Sequence, residues 1–324
     1  MKNILVTGGA GYIGSHTVKI LLDKGYSVII IDNLSKGNKK LIDPRAKFYN
    51  FSLDDKNKIL EVFDSFQIDF VIHFAAFIEA GESMKDPQIF FKNNVVNTIN
   101  LLEVMLEKDV KKIIFSSTAA VYGEPEYVPI NEIHPRKPTN YYGLSKLMIE
   151  NILESYNHAY GLKSISLRYF NASGADEGGS LGEMHMPETH LIPLILKVAN
   201  GSRDKIYIFG DDYDTEDGTC VRDYIHVNDL ADAHILAMEK LDEIGFDFFN
   251  LGNSQGFSVK KVIYICKEVT GKNIKVEIAK RREGDPARLI ADYSKAKNVL
   301  GWEPKRDIYE IVKTAWKWHE NENS

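Results

Sequence analysis

Tyr142 and Lys146 lie four residues apart in Thr139 to Tyr160, a stretch whose pattern predicts a helix beginning at Thr139 or Asn140. Residues at this spacing share one helix face, so the ammonium group would lie beside the phenol. A neighbouring positive charge favours phenolate and lowers a reference pKa of about 10 toward neutrality, which makes tyrosine a usable proton acceptor. The same spacing is common on solvated helix faces, so the pair gains meaning only from its surroundings.

Those surroundings begin with a glycine-rich turn at the start of the chain. The stretch from Lys2 to Gly14 reads KNILVTGGAGYIG, a short apolar run followed by four glycines. This pattern predicts a buried strand, a tight turn and a helix that begins near Tyr12. Glycines let the backbone approach a pyrophosphate, and the helix N-terminus presents N–H groups to an anion. We therefore expect a dinucleotide at this turn.

The second predicted strand, Val28 to Ile31, ends at Asp32. An acidic residue about 20 positions after the glycine motif is placed to bind both ribose hydroxyls of an adenosine and to repel a 2′-phosphate. No arginine follows Asp32 directly, and Lys36 is the nearby basic residue that weakens the argument. NAD is favoured over NADP.

Further strand-like runs at 70–73 and 113–115 alternate with helical stretches at 56–65 and 87–107. This alternation predicts an α/β fold, a Rossmann-type doubly wound parallel sheet that binds ligands beyond the carboxyl ends of its strands. Two segments fall on that ligand side, Phe74-Ala75-Ala76 and Ser116-Ser117-Thr118. The hydroxyl cluster is therefore expected to face the ligand.

Composition narrows the class of partner. The 324 residues include 40 Lys and Arg against 46 Asp and Glu, which gives no electrostatic reason to expect nucleic acid or an anionic membrane. No apolar run approaches a membrane span, and the first strand leaves no room for a signal peptide, so we expect a cytoplasmic protein. Cys220 and Cys266 are expected to be two thiols. His185 and His190 lack helical metal-ligand spacing, and no metal is expected.

The chain resembles a known family once these motifs are combined. The glycine turn, the Ser-Ser-Thr cluster and Tyr142-x-x-x-Lys146 are similar to the extended short-chain dehydrogenase/reductases. Within that family the resemblance is closest to the UDP-glucose 4-epimerases, and it extends over nearly the whole chain. The motifs that carry it are Asp32-Asn33-Leu34, His73-Phe74-Ala75-Ala76, Gly81-Glu82-Ser83, Arg168-Tyr169-Phe170-Asn171, Glu216-Asp217-Gly218-Thr219, Val221-Arg222-Asp223-Tyr224-Ile225-His226-Val227 and Arg281-Arg282-Glu283-Gly284-Asp285.

The resemblance implies an isomerase of carbohydrate and galactose metabolism that interconverts UDP-galactose and UDP-glucose. NAD would stay bound and be reduced and reoxidised in each cycle while the 4-keto sugar rotates. Tyr142 would take the O4 proton, Lys146 would lower its pKa and hold the nicotinamide ribose, and Thr118 would hydrogen-bond O4 with Ser117 as support. The implied cofactor-binding residues are Gly8, Gly11, Tyr12, Ile13, Gly14, Asp32, Asn33, Ser52, Leu53, Phe74, Ala75, Ala76, Asn93, Ser116, Tyr142, Lys146 and Tyr169.

The second half of the chain would hold the nucleotide-sugar. Arginine forks suit a diphosphate, and the resemblance assigns Arg222 and Arg282 to it. Surface ion pairs with Asp223 or Glu283 are the alternative. The implied substrate-binding residues are Thr118, Tyr142, Asn171, His190, Leu191, Tyr207, Phe209, Arg222, Arg282 and Asp285. Aromatic residues such as Tyr207 are as readily explained as part of the core.

The expected organisation is discontinuous. Residues 1–170 plus about 225–255 would form the NAD-binding domain, and about 171–224 plus 256–324 a smaller α/β lobe for the UDP-sugar. The family resemblance implies a homodimer formed through a four-helix bundle of the helices near 87–107 and 139–160. The sequence departs from the family at Ser52, where an acidic residue commonly meets the adenine, and at Ile78, His190 and Leu289. The small Leu289 leaves acceptance of N-acetylated sugars open.

Four alternatives remain open. Other specificities within the fold are a UDP-N-acetylhexosamine or UDP-glucuronate 4-epimerase. A nucleotide-sugar 4,6-dehydratase needs an Asp-Glu pair after the Ser-Thr strand end, where this chain has Ala119-Ala120. A cofactor-sensing protein without activity would lose the tyrosine or the lysine, and both are present.

Overall fold

The computed structural model describes residues 2–282 and 284–322. Its strands are β1 (Asn3–Thr7), β2 (Ser27–Ile31), β3 (Lys47–Tyr49), β4 (Phe70–His73), β5 (Lys112–Ser116), β6 (Lys163–Tyr169), β7 (Asn171–Ser173), β8 (Ile206–Phe209), β9 (Val221–Arg222), β10 (Tyr224–His226), β11 (Phe246–Leu251), β12 (Phe257–Ser258), β13 (Val276–Ala279) and β14 (Arg288–Leu289). Its α-helices are α1 (Tyr12–Asp23), α2 (Lys56–Ser65), α3 (Ala80–Lys85), α4 (Pro87–Phe90), α5 (Asn97–Glu107), α6 (Tyr141–Tyr160), α7 (Leu191–Ala199), α8 (Val227–Ile244), α9 (Val259–Thr270) and α10 (Ile308–Glu322).

The chain divides into two compact units. The first contains Met1–Gly123, Pro135–Arg168 and Ala231–Phe249, and the second contains Glu124–His134, Tyr169–Leu230 and Asn250–Ser324. The predicted functional division into domains stays a prediction. In the part of the chain that the structure describes, no helix is both long and apolar enough to cross a membrane.

The dominant sheet has seven strands in the order β11-β6-β5-β4-β1-β2-β3. Neighbouring strands from β6 to β3 pair in parallel, with Thr7 opposite both Ile31 and His73. Strands of a parallel sheet are covered on both faces, and the runs in β1 and β2 are accordingly almost fully buried. The predicted Rossmann-type doubly wound sheet is confirmed. Its register brings the carboxyl ends of β1, β4 and β5 to one edge.

The helix predicted over 87–107 is broken into three parts. The chain passes from α4 into a π-helical segment, Phe91–Val96, and then into α5. A π-helical insertion widens the turn by one residue and is invisible to a search for the 3.6-residue period. Here it accompanies the buried amide of Asn94, whose Nδ2 donates to the Phe77 carbonyl at 3.0 Å and to Ser145 Oγ at 3.0 Å.

The long helix α6 has well-defined ends. Asn140 caps it by accepting a hydrogen bond from the Gly143 N–H at 2.8 Å, and Gly161 closes it in the left-handed conformation with φ of 70°. Its buried face carries Tyr142, Lys146 and Glu150 at successive four-residue steps. Three polar side chains therefore point from one helix toward the sheet edge.

Within its described residues, the second unit has its own core and three small sheets. In it, α7, α9 and α10 pack around buried aliphatic side chains such as Ile195, Ile265 and Ile311. The sheets pair β10 with β7, β12 with β9 and β14, and β13 with β8. Strands of two or three residues carry no alternating pattern long enough to recognise, so the sequence did not predict β7, β9, β10, β12 or β14.

Candidate active site

Tyr142 and Thr118 form the centre of the first site. The Thr118 hydroxyl hydrogen-bonds the Tyr142 phenol, and Thr118 Oγ1 also accepts the Ala120 N–H at 3.1 Å. Tyr142 is 9% exposed and Thr118 is 8% exposed. Because a backbone bond fixes the threonine rotamer, the threonine in turn fixes the position of the phenol oxygen. The structure therefore brings together the two residues predicted to contact the reacting oxygen.

Lys146 lies one turn further along α6 and is 2% exposed. Its Nζ donates to the Ser116 carbonyl at 2.7 Å and lies 4.8 Å from the centre of the Phe115 ring. Burial lowers the pKa of Lys146 to about 7, an effect that the Glu150 carboxylate opposes. The lysine is anchored to the end of β5, the strand that ends beside Thr118.

The expected depression of the tyrosine pKa is not found in the chain without ligands. Burial raises the pKa of Tyr142 to about 12, although the Thr118 bond acts in the opposite direction. The prediction weighed the lysine charge and neglected desolvation, which penalises phenolate and ammonium alike in a sealed site. Lowering this pKa requires additional positive charge at the site.

Ser117 faces away from this centre. It is fully buried and its Oγ donates to Glu150 Oε1 at 2.6 Å. Glu150 in turn binds Arg168 through two bonds, Nε to Oε1 at 2.8 Å and Nη2 to Oε2 at 2.7 Å. The Arg168 Nη1 donates to the Tyr122 hydroxyl at 2.9 Å. This buried network supports the strand end from behind and leaves Ser117 a supporting role.

The network of Glu150 and Arg168 was missed by sequence reasoning. Glu150 follows Lys146 by four residues, so its position on the buried face of α6 was readable. Arg168 was noted only as part of a family motif. A charged residue at a strand end gives no local sign of burial, and its partner lies 18 positions away in the chain.

The glycine turn is shaped for a close backbone approach. Gly8 has φ of +75°, and a Cβ there would lie 2.6 Å from the Ala75 backbone nitrogen. A Cβ at Gly14 would collide with the Gly8 carbonyl oxygen. Gly11 is the N-cap of α1 and, lacking a side chain, forms no side-chain capping bond. Tyr12 and Ile13 are the first two residues of α1, and the positive end of a helix fits a pyrophosphate.

Asp32 is held by the backbone around it. Its Oδ2 accepts the Ala10 N–H at 3.0 Å and its Oδ1 accepts the Leu34 N–H at 2.8 Å. Burial raises the pKa of this carboxyl, although both backbone bonds favour its ionised form. Lys36, the basic residue that weakened the argument for NAD, forms an ion pair with Glu79. The local charge beside Asp32 therefore suits a ribose with free hydroxyls.

Most of the other residues expected at the cofactor lie in the same unit, whereas Tyr169 begins a segment of the second unit. Phe74, Ala75 and Ala76 follow β4 and are half-buried, and Ser116 ends β5. Asn93 donates to Asn94 Oδ1 at 3.1 Å. Ser52 is half-buried and Leu53 is buried, whereas Asn33 is exposed. Asp55, three residues after Ser52, caps α2 by accepting the Lys58 N–H at 3.2 Å.

The residues expected to bind the nucleotide-sugar diphosphate lie in the second unit. Arg222 pairs with Asp285 and donates from Nη1 to the Val221 carbonyl at 2.7 Å. The alternative partner Asp223 is instead buried and accepts three backbone N–H groups, those of Asn253, Ser254 and Ala291. The other alternative, Glu283, lies outside the described residues.

A second group of predicted residues gathers at β8. The Arg282 guanidinium lies 4.0 Å from the centre of the Phe209 ring, and the rings of Tyr207 and Phe209 are 6.3 Å apart. Asn171 begins β7 and its Nδ2 donates to the Asp223 carbonyl at 2.8 Å. An arginine stacked on an aromatic ring beside a second half-buried ring is suited to a base and its phosphates.

His190 caps α7 and Leu191 is the first residue of that helix. The His190 Nδ1 contacts Glu183 Oε1 at 2.7 Å and Glu188 Oε1 at 3.1 Å. Burial alone would lower the pKa of His190, but these two carboxylates raise it to about 10. Its ring is thus engaged with carboxylates, a contact that sequence spacing did not indicate.

Comparison with known proteins decides the family. A family model described as GDP-mannose 4,6 dehydratase matches residues 5–315. A UDP-glucose 4-epimerase of Halalkalibacterium halodurans is 56% identical over 98% of this chain and 95% of its own. The chain belongs to the UDP-glucose 4-epimerase family.

Solved structures of family members agree with this result. The epimerase of Brucella ovis in complex with NAD matches with a TM-score of 0.95 at 44% identity, covering 98% of both chains. The epimerase of Bifidobacterium longum in complex with NAD⁺ and UDP matches with a TM-score of 0.95 at 41% identity, covering 99% of both chains. The recognised family and the fold class predicted from the sequence are both confirmed.

The matched family model is described as that of a dehydratase, but the residues that follow Thr118 in this epimerase differ from those that dehydration requires. Ala119 and Ala120 form a 3-10 turn directly after Thr118. Elimination needs an acid and a base beside the tyrosine, and two methyl groups supply neither. The two residues that follow Thr118 therefore do not provide the acid and base of a dehydration step.

Proposed function

We propose that this chain is an NAD-dependent UDP-glucose 4-epimerase that interconverts UDP-galactose and UDP-glucose. The observation that carries the proposal is the hydrogen bond between Thr118 and Tyr142, beside the buried Lys146 and at the end of the sheet that holds the glycine turn. Relatives that are 56% and 41% identical to this chain are named UDP-glucose 4-epimerases, which supports the same reaction. The absence of a residue pair for elimination at Ala119 and Ala120 argues against a dehydratase.

The residues around the glycine turn fit a dinucleotide. The N–H groups of Tyr12 and Ile13 would receive the pyrophosphate, Asp32 the adenosine ribose, and Lys146 the nicotinamide ribose. Bound NAD would supply reversible acceptance of hydride from the sugar carbon that carries O4. Ser52 has no charge to offer the adenine amino group, so we expect weaker retention of the adenine than an acidic residue would give.

Tyr142 would take the O4 proton and return it within one cycle. Its pKa of about 12 in the chain alone is too high for a base near neutrality. A positive charge held near the phenol, together with charged Lys146 and the Thr118 bond, lowers that pKa. Thr118 would also hydrogen-bond O4 and so align the sugar oxygen with the phenol.

Arg222, Arg282 and Asp285 would hold the UDP group, with Tyr207, Phe209, Asn171, His190 and Leu191 around it. Planar guanidinium forks grip a diphosphate through paired bonds, which fixes the nucleotide. Asp285, already oriented by Arg222, is placed to receive ribose hydroxyls. A firmly held nucleotide and a loosely held hexose permit the ketone to turn over.

We further propose that the first unit is the NAD-binding domain and the second the UDP-sugar domain, and that the chain acts as a cytoplasmic homodimer. The dimer is supported by apolar side chains exposed on the first unit, among them Ile89 at 46%, Val96 at 49% and Met148 at 38%. The location is supported by Cys220 and Cys266, which are free and buried.

The decisive experiment substitutes Tyr142 by Phe. The purified variant is incubated with UDP-galactose without added NAD, and the anomeric sugar signals are followed by NMR. We expect wild type to form UDP-glucose and Tyr142→Phe to keep its fold and bound NAD while losing at least about 100-fold in turnover. Tyr141→Phe, on the exposed side of the same helix end, is the matched control and should stay active. Near-normal turnover by Tyr142→Phe, or a stable 4-keto-6-deoxy product from wild type, would overturn the proposal.

A further inference from the structure

Four potential metal ligands converge in the segment before α7. They follow the pattern Glu183-x-His185-x-x-Glu188-x-His190, and one ligand atom from each lies within 4.8 Å of all the others. The sequence spacing did not suggest a site because neither histidine stands one helical turn from the other. The segment is not helical, so helical spacing was the wrong criterion.

The contacts within this cluster are short and share atoms. Glu183 Oε1 contacts His185 Nδ1 at 2.8 Å and His190 Nδ1 at 2.7 Å, while His190 Nδ1 also lies 3.1 Å from Glu188 Oε1. One imidazole nitrogen carries at most one proton, so the single His190 proton lies between two carboxylates. A centre with several acceptors and few protons is better satisfied by a cation with several coordination positions.

The two carboxylates are nearly sealed from solvent, while the histidines face it. The side chain of Glu183 is 5% exposed and that of Glu188 is 4% exposed, against 21% for His185 and 39% for His190. The ion pairs formed by the described residues bring no lysine or arginine to either carboxylate. Burying two carboxylates requires positive charge beside them, and a divalent ion balances two negative charges better than one imidazolium does. The histidine side offers a route by which an ion could enter.

The geometry suits a small transition-metal ion. Ligand nitrogens and oxygens about 2.0–2.2 Å from tetrahedral zinc are separated by roughly 3.3 Å, which lies between the shortest contact of this cluster, 2.7 Å, and its upper limit of 4.8 Å. Two imidazoles favour zinc or its neighbours over calcium and magnesium, which prefer oxygen ligands alone. Glu188 is held for this role by the N–H groups of Thr189 at 2.6 Å and His190 at 2.7 Å, as supporting bonds commonly orient metal ligands.

We propose that Glu183, His185, Glu188 and His190 bind one divalent transition-metal ion of the zinc class. The ion replaces the shared proton, neutralises the buried carboxylates and fixes the segment that leads into α7. Its role is structural, since all four protein ligands close the coordination shell. The His190 ring then belongs to the ion, and any contact of this position with substrate passes to its backbone and to Leu191.

The test measures ion binding and is independent of epimerase activity. Chain without an affinity tag is stripped with a chelator and titrated with Zn²⁺ by calorimetry and with Co²⁺ by visible absorption. We expect one ion per chain, strong Co²⁺ absorption typical of four-coordinate geometry, and a rise of the Tm with Zn²⁺. Glu183→Gln and His185→Gln should each weaken Zn²⁺ binding by at least about tenfold.

His158→Gln is the matched control, because His158 lies exposed on α6. It should bind Zn²⁺ as wild type does. Circular dichroism establishes that each variant is folded. A wild-type chain that binds no stoichiometric Zn²⁺, or equal affinity in wild type and both ligand variants, would overturn the proposal whatever the enzymatic activity.

Discussion

Ser117 Oγ donates to Glu150 Oε1 at 2.6 Å, which turns the hydroxyl away from the predicted sugar position and toward a buried ion pair. Glu150 and Arg168 are 1% and 0% exposed. The end of β5 is therefore held by charge buried beneath it, while Thr118 alone of the two hydroxyl residues contacts the Tyr142 phenol. Ser117 therefore supports the end of β5, whereas the adjacent Thr118 contacts the Tyr142 phenol.

The Glu150→Gln substitution tests whether the ion pair with Arg168 stabilises the end of β5. The substitution leaves the Arg168 guanidinium buried without a full negative partner, and breaking one side of a buried pair costs about 3–5 kcal/mol. We expect the free energy of unfolding, measured by urea titration, to fall by that amount. Glu154→Gln, one turn further along α6, is the control and should change it by less than about 1 kcal/mol. Equal stability of both variants would show that the pair does not hold the strand end.

The Thr118→Val substitution tests whether Thr118 lowers the pKa of the Tyr142 phenol during catalysis. The variant keeps the shape of the side chain but loses the bond that stabilises the Tyr142 phenolate, so the pKa of the phenol should rise. We expect kcat to fall about 10–100-fold and the acidic limb of the pH profile of kcat/KM to move to higher pH. Ser117→Ala is the comparison: it should leave that limb in place and lower the free energy of unfolding instead, by about 1–2 kcal/mol. An unmoved limb in Thr118→Val would remove threonine from the proton path.

The buried Lys146 makes the free energy of unfolding of the chain depend on pH. Its folded pKa of about 7 lies below the unfolded value of about 10.4, so the unfolded chain binds more protons between these limits. The stability of the chain without cofactor should therefore rise as pH increases from 7 toward 10. Below pH 7 the penalty for the buried ammonium is fully present.

Lys146→Met isolates this contribution. Removing the buried ammonium should stabilise the chain at pH 7 by about 2 kcal/mol, after loss of the bond to the Ser116 carbonyl. The advantage should shrink as pH approaches 10, because the wild-type lysine is then neutral in the folded chain and the cost of removing its proton on folding falls as the pH nears the unfolded pKa. Urea titrations of both proteins at pH 7, 8.5 and 9.5 provide the measurement. A constant difference across these pH values would contradict the burial of a depressed lysine.

The sequence alone predicted the structural features that depend on local periodicity. Ile4-Leu5-Val6 and the glycines after it predicted β1, the turn and α1, and the four-residue step from Tyr142 to Lys146 predicted a shared face of α6. Both depend only on neighbours along the chain. The pairing of Lys36 with Glu79 and of Arg222 with Asp285 depends instead on how distant segments pack, and it carried no signal in spacing.

Like the pairing of distant segments, the desolvation of a side chain could not be predicted from the sequence. The charge of Lys146 was visible in the sequence, but the near-complete burial that raises the pKa of Tyr142 was not. The same limit applied to Glu183 and His190, which meet in a segment without regular periodicity. A pattern indicates which side chains share a face, whereas solvent exclusion is settled by the layers packed over that face.

The proposed dimer is testable through two exposed apolar residues. Val96 lies in the π-helical segment and Met148 on α6, and these helices pack together in the first unit through contacts such as that between the Phe91 and Tyr141 rings, 5.9 Å apart. Since both side chains already face outward, replacing each by Glu leaves the core intact but places charge where a partner would bury apolar surface. We expect wild type to sediment as a dimer and the double variant Val96→Glu, Met148→Glu to sediment as a folded monomer at micromolar concentration. Tyr264→Glu, which changes a side chain 51% exposed on α9 of the second unit, should remain dimeric. A dimeric double variant would place the interface elsewhere, and a monomeric wild type would reject the dimer itself.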